Sequence, residues 1–159
     1  MMKKLNNPYN GLPGYNCFGC SRDNPMGLQM EFYYDGEKLI SKWTPQPQYQ
    51  GYNNILHGGI QATLMDEVAS WLVYATMHTS GVTSRLDIKY KKPVATNKGP
   101  ITLQATLKEI KRNLAYIAIV LMNADDVVCA EADAIFFTYP REYCIKNLGL
   151  PEDAELYEL

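Results

Sequence analysis

Residues 59–77, GIQATLMDEVASWLVYATM, contain no proline and no glycine after the first position. Apolar side chains recur almost all round a helical projection. Ile60, Leu64, Val68 and Leu72 fall on one side, with Met65, Ala69, Trp71 and Ala75 elsewhere. A helix apolar over most of its circumference belongs in a protein interior. The segment predicts one long buried helix, and the rest of the chain has to cover it.

The cover reads as strands. Leu28, Met30, Phe32 and Tyr34 share one parity, Asp35-Gly36 is a hairpin signal, and Lys38 to Trp43 returns. Pro45 and Pro47 stop this strand, and a loop over 46–56 leads to the helix. Period two resumes after the helix. Leu86, Ile88 and Tyr90 alternate with charged residues over 83–90, and Ile101, Leu103, Ala105 and Leu107 alternate with polar ones over 101–108. Lys111-Arg112-Asn113 is a turn, and Leu114 to Met122 is apolar on both faces, as expected of a central strand covered twice. Asn123 to Asp126 turns again, and Val127 to Thr138 ends the set, with Ala130, Ala132 and Ala134 offering a small-residue face to the helix. The expected fold class is α+β, an antiparallel sheet of five to six strands around one long central helix. One helix cannot cover both faces of such a sheet, so the outer face predicts a second subunit.

The chain's 159 residues fit one domain. Residues 1–25 read as an irregular arm rich in Asn, Pro and Gly, 26–139 as the domain, and 140–159 as an acidic tail in which Pro151-Glu152-Asp153 starts a short helix. Net charge is −2, which lacks the basic footprint of a nucleic-acid partner. No run approaches the roughly 18 apolar residues of a membrane span. Met1 to Gly14 has no apolar stretch behind its two lysines, so the pattern of a signal peptide is missing and the cytoplasm is the expected compartment.

Four cysteines, Cys17, Cys20, Cys129 and Cys144, then predict no disulfide framework. Cys17-Phe-Gly-Cys20 has the spacing of half a zinc site, but no second CxxC or HxxxH supplies the other ligands. A redox CxxC is expected to precede a helix, and this one precedes a strand pattern. The pair is read as packing or turn residues, with no metal.

Two groups could carry chemistry. Asp66 and Glu67 sit mid-way along the buried helix, where a carboxylate is costly unless paired or hydrogen-bonded. They either line a narrow solvated stripe with Gln61 and Ser70 or supply a functional carboxylate in an apolar wall. His57-Gly58-Gly59 stands at the helix start, where glycines permit close approach and free N–H groups suit a carbonyl becoming an oxyanion. Gly59 and Asp66 are seven residues, roughly 10 Å, apart along one helix. That is too far to serve one carbonyl carbon, so the spacing favours a site completed by a neighbouring subunit.

The stretch Leu56-His57-Gly58-Gly59-Ile60-Gln61-Ala62-Thr63-Leu64-Met65-Asp66-Glu67 resembles the signature of the PaaI-like acyl-CoA thioesterases of the hotdog-fold superfamily. Gly81 to Pro93 resembles that family's next strand, and the likeness spans residues 26–139. Cys17-Phe-Gly-Cys20 to Asn24-Pro25-Met26-Gly27-Leu28 resembles a lead-in found in a subset of these proteins.

The resemblance implies a hotdog fold, a homodimer or a dimer of dimers, and hydrolysis of an acyl-CoA thioester. Coenzyme A enters as part of the substrate, and no other cofactor is implied. By position, Asp66 is the general base or nucleophile, the N–H of Gly58 or Gly59 polarises the carbonyl, and His57 orients the thioester. Thr83 orients the attacking water, with Ser84 beside it, and Glu67 supports Asp66 or faces solvent.

Relatives often carry an Asn six positions before the histidine. Here that position is Gly51, with Asn53 and Asn54 as possible substitutes. Lys89, Lys91, Lys92, Lys111 and Arg112 are candidates for the phosphates of coenzyme A. Trp71, Tyr74, Met77 and Tyr90 either line an acyl tunnel or are core. Two other functions share the fold. One is a non-catalytic acyl-CoA-binding or sensing protein. The other is an acyl-thioester hydratase or dehydratase, whose DxNPxH motif Asp23-Asn24-Pro25 matches only in part.

Overall fold

The computed structural model describes residues 1–158. The long helix α1 spans Gly58–Met77 and is wrapped by strands β1 (Lys3–Lys4), β2 (Tyr33–Tyr34), β3 (Lys38–Trp43), β4 (Gly81–Tyr90), β5 (Ile101–Lys111), β6 (Leu114–Met122) and β7 (Val128–Thr138). A short helix, α2 (Arg141–Asn147), follows. The strands form one antiparallel sheet in the order β1-β2-β3-β5-β6-β7-β4. This is the hotdog arrangement, with seven strands instead of five or six.

The extra strand comes from the arm. Lys3 and Lys4 pair with Tyr34 and Tyr33, and Leu5 bridges to Tyr157, so both ends of the chain meet at this edge. The alternation at 28–34 is real in burial, with Leu28, Met30, Phe32 and Tyr34 all inside. Only its last two residues join the sheet. The Leu28 and Met30 N–H groups instead bond the carbonyls of Phe18 and Gly19, and Gln29 sits at φ 51, which breaks the ladder. The tail's helix begins after Pro140, not at Pro151.

The core forms where α1 meets the concave face of the sheet. Leu64, Met65, Val68, Ala69 and Leu72 are fully buried, and Leu39, Leu103, Ile117, Ile119 and Leu121 meet them from the strands. Ala130, Ala132 and Ala134 are also buried and let β7 lie close to the helix. On β6 the chain covers one face: Ala115, Ile117, Ile119 and Leu121 are buried, while Tyr116, Ala118, Val120 and Met122 are half-buried. Double cover of β6 is therefore not achieved within one chain. Strand β4 is the sheet's far edge and is exposed along most of its ten residues. Among the described residues no helix is long and apolar enough to cross a membrane.

Candidate functional site

His57 caps α1. Its Nδ1 accepts the Gly59 N–H at 2.9 Å, and its carbonyl takes the Gln61 N–H. The ring thus consumes one of the donors expected for a carbonyl oxygen. The Gly58 N–H has no acceptor among the described residues. The helix start is fixed from two sides, because the Tyr90 hydroxyl donates to the Gly58 carbonyl at 2.7 Å and the His57 N–H donates to Tyr49 at 3.0 Å. An open cleft of about 340 Å³ lies here, lined by Gln48, Tyr49, Gln50, His57, Gly59 and Ile60. Gly51 lies beside His57, and a Cβ built on it would stand 3.6 Å from His57 Cα and Cδ2, an ordinary contact. Asn53 and Asn54 are exposed in the turn that follows.

Asp66 lies two turns further along the helix. The Thr83 hydroxyl donates to its Oδ1 at 2.6 Å. The β4–β7 register slips between Thr83 and Arg85, leaving Ser84 as the extra, exposed residue. Such a bulge re-aims side chains. Burial raises the Asp66 pKa above the usual carboxylate range, and the Thr83 bond works against that rise. Gly58 and Asp66 are eight helical residues apart, about 12 Å, so one chain does not bring them together.

Glu67 is half-buried. It points into a separate pocket of about 190 Å³ lined by Tyr9, Tyr15, Cys17, Cys20, Trp71 and Tyr74, among others. Burial, and next the charge of Cys17, push its pKa up to about 7. Gly19 is the residue that sequence reasoning missed. A Cβ there would collide with the end of the Glu67 side chain, so any larger residue would push this carboxylate out of its present position. Nothing in the local pattern tied Gly19 to a residue 48 positions later.

The remaining candidates are spread out. Lys91 is paired with Glu131 at 2.8 Å, and Arg112 is exposed at the β5–β6 turn with φ 56. Trp71 and Tyr74 line the Glu67 pocket, whereas Tyr90 braces the helix start and Met77 ends it. The Asn24 side chain closes a turn, accepting the Met26 N–H and donating to the Asn16 carbonyl.

This fold and helix start are those of a known class. The family model described as the thioesterase superfamily matches residues 53–130, which run from the loop before His57 to the start of β7. Over these residues the chain is similar to that superfamily, and its fold is the hotdog fold of the superfamily's solved members.

An uncharacterised protein of Schizosaccharomyces pombe is 28% identical over 105 residues, covering 64% of this chain and 60% of that protein. A solved thioesterase superfamily protein is 26% identical with a TM-score of 0.65, covering 72% of this chain and 56% of that one. The chain thus spans less than two thirds of the length of both relatives. A Streptococcus mutans protein solved with bound acetyl CoA shares the fold, with 18% identity, a TM-score of 0.66, and coverage of 83% of this chain and 98% of that one.

Proposed function

We propose that the protein hydrolyses an acyl-CoA thioester to the free acid and coenzyme A. The observation that carries this reading is the Thr83–Asp66 hydrogen bond, which holds a half-buried carboxylate in one orientation without neutralising it by a cation. A carboxylate raised by burial is a better proton acceptor than an exposed one. It either takes a proton from water as water attacks the carbonyl, or attacks the carbonyl itself to give an anhydride that water opens. Either route ends with the acid and the thiol, and coenzyme A is a good leaving group as its thiolate. Hydrolysis needs no further cofactor.

The Gly58 N–H is the donor assigned to the developing oxyanion, with His57 fixing the turn and its ring lining the cleft. Because Gly58 and Asp66 lie about 12 Å apart on one helix, the site is read as shared between two chains. The exposed ten-residue edge of β4 supports this, since a long free edge invites pairing with a second copy. The S. mutans neighbour with acetyl CoA supports a coenzyme A thioester as the substrate class. Ser84, Asn53, Asn54, Lys91 and Arg112 are assigned to the rim, where coenzyme A would lie.

A non-catalytic acyl-CoA-binding protein is the second reading, favoured by Gly51 and by the Gly59 N–H being already taken. Thiol release from a panel of acyl-CoA substrates separates the two. A catalyst turns over at least one of them, and a binding protein retains coenzyme A without thiol release.

A further inference from the structure

The Glu67 pocket contains two thiols that thioester hydrolysis does not use. Cys17 and Cys20 are free, and their Sγ atoms stand 3.0 Å apart. Glu67 Oε1 is 4.0 Å from Cys17 Sγ, and the reactive atoms of all three lie within 4.8 Å of one another. The backbone holds them there. Ser21 N–H closes the turn on the Cys17 carbonyl, while Leu28 and Met30 N–H groups tie down Phe18 and Gly19.

The two sulfurs are not equivalent. Cys17 is half-buried on the wall of the open pocket, and Cys20 is buried at 8% exposure beneath it. The Cys20 thiol, and then the N–H groups of Cys20 and Gly19, favour a thiolate on Cys17 and bring its pKa down to about 5. The Cys17 sulfur beside it, together with burial, pushes Cys20 up. The Tyr15 hydroxyl sits 3.1 Å from Cys20 Sγ.

A reachable thiolate with a second thiol in contact with it is what two-step thiol–disulfide exchange requires, and a carboxylate beside both can take the second thiol's proton. A zinc ion fits less well. Tetrahedral bonds of 2.3 Å would separate the sulfurs by about 3.7 Å, and among the described residues only these three ligands converge.

We propose that Cys17 and Cys20 form a redox-active pair that exchanges with a low-molecular-weight disulfide, with Glu67 as proton acceptor for Cys20. The Cys17 thiolate attacks one sulfur of the small disulfide. That S–S bond breaks, one thiolate leaves, and a mixed disulfide remains on Cys17. Glu67 takes the Cys20 thiol proton, and Cys20 Sγ attacks Cys17 Sγ. The second thiolate leaves and takes up the proton. The small disulfide is reduced to two thiols and the protein pair is oxidised by two electrons. The pocket of about 190 Å³, walled by Tyr9, Tyr15, Trp71 and Tyr74, admits the disulfide end of a small molecule but not a folded partner. This inference stands independently of the thioester reading.

The test uses the full chain, reduced and freed of reductant without air, and oxidised glutathione as the probe. Intact mass and thiol count are followed with time. Cys17 and Cys20 are expected to be lost as thiols and recovered as an internal disulfide, ahead of the fully buried Cys129 and Cys144. Cys20→Ser is expected to stop at a glutathione adduct on Cys17. Glu67→Gln is expected to slow the second step at least about tenfold, so the adduct accumulates and then resolves. The proposal is overturned if Cys17 and Cys20 oxidise no faster than Cys129 and Cys144. It is equally overturned if the wild-type adduct never resolves, or if the isolated chain carries one equivalent of zinc that blocks both thiols.

Discussion

The Thr83 hydroxyl donates a 2.6 Å hydrogen bond to Oδ1 of Asp66, joining the bulged edge strand β4 to the middle of α1. The bond favours the carboxylate, whereas burial favours the acid. Thr83→Val removes the donor and keeps the shape. The Asp66 pKa then rises further. A base works only when deprotonated, so the acidic limb of kcat/KM moves to higher pH. The bond also fixes the direction in which the carboxylate faces, and a misplacement of about 1 Å can cost roughly 100-fold, so kcat above that limb is expected to fall by up to about that factor. A pH–rate profile checks both effects, and an unshifted limb would sever Thr83 from the chemistry.

Gly51 stands where the resemblance to the PaaI-like thioesterases implies a carbonyl-polarising Asn. Its Cβ site is in ordinary contact with His57 and its φ is not in the left-handed region, so a side chain fits. One oxyanion donor is typically worth about 100- to 1,000-fold in kcat. Gly51→Asn is expected to raise kcat by some part of that factor with the fold unchanged. A stopped or slowed enzyme would show that the loop directs position 51 away from the carbonyl.

The donor at Gly58 can be deleted cleanly. Gly58 is the first helical residue, His57 before it is extended at ψ 135, and proline is tolerated at that position. Gly58→Pro removes the N–H without removing a helical bond, and kcat is expected to fall about 100- to 1,000-fold. If sites are shared between chains, mixing Gly58→Pro with Asp66→Asn recreates one intact site per mixed dimer. Exchange at equal amounts then restores about one quarter of wild-type activity. No restoration would assign both groups to the same chain's site.

The sequence made α1 legible because a helix apolar all round has one place to go, and its ends were readable from His57-Gly58-Gly59 and the period change after Met77. β5, β6 and β7 were legible for the same reason, as period two with turn residues between them. The arm was not. Lys3 and Lys4 carry no strand signal of their own, and Leu28 to Phe32 alternates in burial while bonding to a loop. At the site, the position of Asp66 was readable from its spacing to His57, but its bond to Thr83 crosses from helix to strand. Glu67 reads from the sequence as a supporting or solvent-facing group, and the structure places it half-buried in the pocket under the arm. Its burial comes from the arm, where Gly19 closes over it from 48 residues upstream.

Glu67 carries a pH signature of its own. Its pKa is raised in the folded chain from an ordinary 4.5 to about 7. The folded state therefore holds the proton more tightly, and stability contributed this way is present below pH 4.5 and is lost as pH rises through about 7. Glu67→Gln carries no such charge. It is expected to be more stable than wild type at pH 8, by about 1–3 kcal/mol, with the difference shrinking toward pH 4.5. Denaturant melts across that range check it, and a constant difference would mean that Glu67 is not desolvated.

The most direct test measures thiol release from acyl-CoA substrates by the wild type and by Asp66→Asn, with coenzyme A binding measured in parallel on both. The carboxylate is expected to be indispensable. Asp66→Asn should lose at least about 1,000-fold in kcat and still bind coenzyme A as the wild type does. Equal rates in the two proteins would contradict the assignment of Asp66 as the group that activates water or attacks the thioester.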